Sequence, residues 1–137
     1  MRDAVRILLV GFLVIAPVLC AAADVAPKCL ERDPSDSVEY VAAKAKLSPK
    51  ELLARLVYAE ALSTGFGDDP LVHEAIAWGV MNRVRLAEHS ASSKRSYGSG
   101  IRGVVFKKGQ FNPAVSPKSP FSKDFLCPKE RALWRMA

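Results

Sequence analysis

The sequence predicts an α+β domain, mainly helical, with a small β-hairpin or short sheet, set behind an N-terminal signal peptide. Three observations predict it. Two long segments carry helix-start signatures followed by apolar residues at helical spacing, 48–62 and 69–88. The short apolar runs 101–106 and 110–115 lie between turn signals and are short enough for strands. The first 23 residues pair Arg2 and Arg6 with an uncharged, mostly apolar run, Ile7 to Ala23, ending in Cys20-Ala21-Ala22-Ala23. That order of basic, apolar and small residues fits an export signal cleaved after Ala23. A run of seventeen residues is short for a bilayer span, so a retained membrane anchor is the lesser expectation.

The 137 residues suit one domain, and half of them are hydrophobic, enough for a core. The expected divisions are the signal peptide 1–23, a lead-in segment 24–47 and a main domain 48–137. Taking Arg2, Arg6 and Asp3 from the 20 basic and 14 acidic side chains leaves a net charge of +5. Net charge speaks to partners. In an exported chain it favours an anionic envelope polymer, in the periplasm or outside the cell, over nucleic acid. Export leaves two cysteines, Cys29 and Cys127, near the two ends of the mature chain. In an oxidising compartment they are expected to form a disulfide, the alternative being two free thiols.

Along the chain, Asp33-Pro34-Ser35-Asp36 is a turn, and a short helix is expected over 38–46. Ser48-Pro49-Lys50-Glu51 starts the first long helix: Ser48 caps free N–H groups, Pro49 suits the first position, and Glu51 completes an S-x-x-E box. Gly65 and Gly67 end it. Asp69-Pro70 starts the second, with Val72, Ala75, Ile76, Gly79 and Val80 on one face. Gly79 is expected to let another helix approach. The polar stretch 88–100 reads as a loop, 101–106 as helix or strand, 110–115 as a short strand, and 128–137 as a helix.

Glu60 breaks the pattern of the first helix. At 100° per residue from Leu52, Leu56 falls at about 40°, Leu53 at about 100°, Val57 at about 140° and Glu60 at about 80°, inside the apolar stripe. A carboxyl group there is poorly solvated, which raises its pKa, and the negative end of the helix dipole acts in the same sense. A proton held near neutral pH suits acid catalysis of glycosidic cleavage. The alternative is a structural ion pair with Arg83, which falls in the apolar stripe of the second helix.

The segments LARLVYAEALSTG, HEAIAWGVMNRV and IRGVVFKKGQFNP occur in this order over residues 52–115. Their hallmarks are Glu60-Ala61, Asn82-Arg83-Val84, Val104-Val105-Phe106 and Gln110-Phe111. In these the chain resembles the cell-wall hydrolase family of spore-cortex-lytic enzymes. The resemblance implies a lysozyme-like domain that cleaves the glycan strands of peptidoglycan as a lytic transglycosylase or a muramidase-type glycosidase, with Glu60 as the catalytic residue and no cofactor or metal. The expected partner is the glycan strand, bound by a monomer with no stable membrane anchor after signal cleavage. Where the family often has Arg-Gly after its Glu-Ala pair, this chain has Leu62-Ser63. Family members usually continue beyond the region of Trp134 with a helix and a hairpin. This sequence ends at Ala137, so the domain is expected to be either a minimal version closed by Cys29–Cys127 or one lacking part of its cleft wall.

Four further residues are candidate substrate contacts. Gln110 is placed at the cleft, bonding an N-acetyl group or orienting Glu60, or else it is a turn side chain. Phe111 is a core residue or a sugar platform. Tyr58, at about 240° and off the stripe, is placed at the cleft rim. Asn82 bonds backbone near the site or belongs to a packing network. Trp78 is expected to be partly buried. Asp68 and Asp69 read as turn and cap residues and Glu74 faces solvent, so no second acid is evident for a two-carboxylate mechanism. Two motifs fail: Gly98-Ser99-Gly100-Ile101-Arg102-Gly103 follows a polar loop and not a strand, and His73-Glu74 lacks the second histidine of H-E-x-x-H. His73 and His89 are expected at the surface. The competing reading is a non-catalytic glycan-binding or envelope structural protein that keeps the fold.

Overall fold

The computed structural model describes residues 27–137, so the signal-peptide segment 1–23 lies outside the described residues. The described chain forms eight helices and, among these residues, no strand. They are α1 (Val38–Lys44), α2 (Pro49–Thr64), α3 (Pro70–His89), α4 (Ala91–Tyr97), α5 (Gly100–Val105), α6 (Asn112–Val115), α7 (Ser122–Leu126) and α8 (Arg131–Met136).

Helix α2 is the axis of the domain and touches α3, α5, α6, α7 and α8. Its start follows from its sequence. Ser48 Oγ accepts from the Glu51 N–H at 3.1 Å, and Pro49 occupies the first turn. The reciprocal half of the expected box does not form, because the Glu51 carboxylate turns to Arg55 instead. Gly65 ends the helix in the left-handed region, φ 79°, where a side chain would be strained. Helix α3 begins likewise, with Asp69 Oδ1 accepting from the Leu71 N–H at 2.9 Å.

One hydrophobic core runs through α1 (Val38, Val41, Ala42), α2 (Leu52, Leu56, Ala59), α3 (Val80, Val84), α5 (Val104, Val105) and the Phe111 and Phe125 rings. Beyond it, α2 is covered on a second side. Arg55 is fully buried and reaches three main-chain oxygens: Nη1 donates to Leu126 at 2.8 Å and Phe125 at 3.2 Å, and Nη2 to Lys28 at 2.6 Å. The Cys29–Cys127 disulfide joins the same two strips of chain, 98 residues apart in sequence. Disulfides typically stabilise by about 2–4 kcal/mol, and in the chain-entropy account the contribution grows with the length of the loop closed.

The structure corrects several expectations. The runs read as strands are helical: 101–106 falls largely in α5, and 110–115 is a turn followed by α6. Both runs are too short for periodicity to separate helix from strand. The polar stretch 88–100 holds α4, which packs on α3 and is capped by Ser90 Oγ accepting from the Ser93 N–H. Gly98 lets α5 fold back, since a Cβ there would overlap the Gly103 carbonyl. His73 is buried, not at the surface, with Nε2 2.7 Å from the Gly67 carbonyl oxygen. Trp78 is 53% exposed, with the Arg85 guanidinium 6.0 Å from its ring centroid.

Candidate functional site

Glu60 sits one turn before the end of α2, where the last turn carries no basic residue to offset the negative helix end. It is half-buried and lines two cavities. The first, about 400 Å³, is polar and bounded by Glu60, Ser63, Gln110, Asn112, Lys118 and Phe121. The second, about 380 Å³, is largely apolar and bounded by Glu60, Val72, Ile76, Gly79, Arg83 and Phe111. Glu60 is the residue common to both, and no other carboxylate lines either.

Burial pushes the Glu60 carboxyl above its ordinary pKa of 4.5, and the Ser63 hydroxyl pulls weakly the other way. The geometry explains why burial prevails. Ser63 Oγ donates to the Glu60 main-chain oxygen at 2.7 Å and stands 3.5 Å from Oε2. One hydroxyl hydrogen serves two acceptors, and the longer contact is a marginal hydrogen bond. Neither flanking cation neutralises the acid. Arg83 is not ion-paired with Glu60. Its Nη1 donates to the Gly79 carbonyl at 3.1 Å, and its guanidinium lies 5.1 Å from the Phe111 ring centroid. The ion pair weighed in the sequence is therefore absent. Gly79 does not seat a neighbouring helix as expected; it borders the second cavity and leaves room for the Arg83 guanidinium, 3.4 Å from where a Cβ would stand.

The predicted site residues separate into two groups. Gln110 shares the polar cavity with Glu60, and Phe111 the apolar one, where it is also a buried core residue. Tyr58 does not line a rim. It is 1% exposed, its ring meets Trp134 edge-on, and its hydroxyl accepts from the Lys129 and Glu130 N–H groups. The helical wheel treats α2 as one-sided, whereas the C-terminal segment covers Tyr58 from the other side. Asn82 is exposed and lines neither cavity. Sequence reasoning missed Ser63, Asn112 and Lys118 as cavity residues. Ser63 was findable, three residues beyond Glu60 on the same helix face; Lys118 was not, because its loop has no periodicity.

Among the described residues, no three His, Cys, Asp or Glu side chains converge in a way that would hold a metal ion. No helix there is long and apolar enough to cross a membrane. Comparison with protein-family models, curated proteins and solved structures returns no match.

Proposed function

We propose that the chain is an exported enzyme that cleaves the glycan strands of peptidoglycan as a lytic transglycosylase, with Glu60 as acid and then base. One observation carries the reading: a half-buried carboxyl group, its pKa raised by burial, stands where two cavities meet, with no second carboxylate lining either. The resemblance of residues 52–115 to the spore-cortex-lytic family supports it. The disulfide is in keeping with an oxidising compartment, and the basic charge with an anionic polymer.

The chemistry needs one carboxyl group. Glu60 protonates the glycosidic oxygen as the C1–O bond breaks. The resulting carboxylate takes the proton from the C6 hydroxyl of the same muramoyl sugar, O6 bonds to C1, and the 1,6-anhydro product leaves Glu60 protonated. No water is consumed. Gln110 lines the same cavity as Glu60, and in this reading it bonds an N-acetyl group of the strand.

Mass spectrometry of sacculi digested by wild type and Glu60→Gln tests the reading. Anhydromuropeptides from wild type alone are expected. Reducing-end products would keep glycan cleavage and overturn the transglycosylase step, and binding without cleavage would make the chain a glycan-binding protein. The acid form is the active one in the first step, so cleavage should fall as pH rises through the raised Glu60 pKa. Ser63→Ala removes the one hydroxyl that stabilises the carboxylate and should move that fall to higher pH, with Ser63→Thr closer to wild type. Arg83 and Lys118, the charged groups lining the two cavities, are unchanged in both variants. A Ser63→Ala profile superimposable on wild type would remove Ser63 from the site.

A further inference from the structure

The two cations beside Glu60 differ in what they already hold. Arg83 is committed to the Gly79 carbonyl and the Phe111 ring. Lys118 lines the polar cavity, and no carboxylate of the described residues, Glu60 included, lies within ion-pairing distance of it. Lys118, an exposed residue, and Glu60 thus line one cavity of about 400 Å³ without pairing, a volume within the usual range for small-ligand sites.

The backbone that carries Lys118 is held in place. Pro117 and Pro120 bracket Lys118-Ser119, each fixing its own φ. The Ser119 N–H donates to the Ser116 carbonyl at 3.0 Å, and the Phe121 N–H to Ser119 Oγ at 3.3 Å. The hydroxyl of Ser122, itself buried, donates to the Ser119 carbonyl at 2.9 Å. A pinned main chain with a long, flexible side chain presents a point charge that can reach across the cavity. The other polar lining groups, Ser63, Gln110, Asn112, Ser116 and Ser119, are neutral, so the only charge of opposite sign to Glu60 on this wall is Lys118.

We propose that Lys118 determines substrate specificity by pairing with a carboxylate carried on the sugar at the scissile linkage. The inference rests on the glycan-cleaving reading of Glu60. In a muramoyl strand that carboxylate has two sources: the lactyl group where the peptide has been removed, or the first free carboxylate of an attached peptide stem. Lys118 thus favours acid-bearing strands over uncharged glycans of the same backbone.

The test uses the full mature chain as wild type, Lys118→Gln and Lys118→Arg. Three substrates are compared: peptide-free muramoyl strands, the same strands with their carboxylates converted to methylamides, and peptide-bearing strands. Binding, KM and kcat are measured for each. Wild type is expected to bind and cleave one or both carboxylate-bearing strands with a KM about tenfold below that for the amidated strand. Lys118→Gln should raise that KM to the amidated value with kcat unchanged, and Lys118→Arg should retain the preference. The carboxylate strand with the larger Lys118 dependence identifies the source. Equal KM for charged and amidated strands in wild type, or the same loss on both in Lys118→Gln, overturns the proposal. Binding with the expected preference but no product leaves the Lys118 contact standing and removes the catalytic reading. Absence of binding to all three strands overturns both.

Discussion

Glu60→Gln should abolish glycan cleavage and leave the fold as stable as wild type, or more so, at neutral pH. Glutamine keeps the shape and removes the proton, and loss of a positioned acid typically costs about 10²–10⁴ in rate. The stability arm follows from the direction of the pKa. The folded chain binds the Glu60 proton more tightly than the unfolded chain, whose value is near 4.5. Stability from this group is therefore complete below about pH 4.5 and declines as pH rises through the folded pKa, above which the ionised carboxylate is a net cost. An uncharged amide at this position escapes that cost. Product assays and thermal melts at pH 4 and pH 7 measure the two arms. Wild-type amounts of anhydro product from the glutamine variant would end the catalytic assignment, and a large drop in melting temperature would mark Glu60 as structural.

Arg55→Ala should be the most damaging single change to stability, at about 3–5 kcal/mol. The guanidinium is fully buried and satisfies the main-chain oxygens of Lys28, Phe125 and Leu126. Of these, Leu126 keeps one other donor, the Leu30 N–H at 3.0 Å. The Glu51 carboxylate, 2.8 Å from Nη2, is 35% exposed and can return to water, so lost ion pairing is the smaller part of the cost. The unsatisfied carbonyls and the vacated volume are the larger part. Arg55→Lys should recover little, because an ammonium cannot reproduce the planar fork that bridges two strips of backbone. Urea denaturation with the disulfide intact isolates this effect. A loss under about 1 kcal/mol would show that the neighbouring disulfide alone holds the ends together.

The parts of the fold that were legible in the sequence are those set by local chemistry. Ser48-Pro49 and Asp69-Pro70 declare the starts of α2 and α3, and Gly65 the end of α2, because caps and left-handed glycines act within a few residues. Cys29 and Cys127 are joined as expected. What failed had no apolar periodicity to mark it or depends on contacts distant in sequence. Helix α4 is rich in serine and has no buried residue, so only its packing against α3 and the Ser90 cap explain it. The helical wheel places Glu60 correctly beside buried residues, misplaces Tyr58 and does not single out Arg55, which is fully buried. It assumes one dry face, and α2 has a second, made by residues 126–134. The site divides the same way: Glu60 stands out by pattern, whereas Lys118 comes to the cavity on a loop that only the tertiary fold brings near.

Arg55 and Glu60 project from α2 roughly 140° apart. The clasp that closes the chain and the group proposed for chemistry thus occupy opposite flanks of one rod and share no hydrogen-bond partner. Damage on one flank has no direct route to the other, so the free-energy effects of Arg55→Ala and Glu60→Gln should sum in the double variant to within about 0.5 kcal/mol. Such a domain can drift in robustness and in reactivity separately, and a sturdier clasp can be selected without retuning the acid.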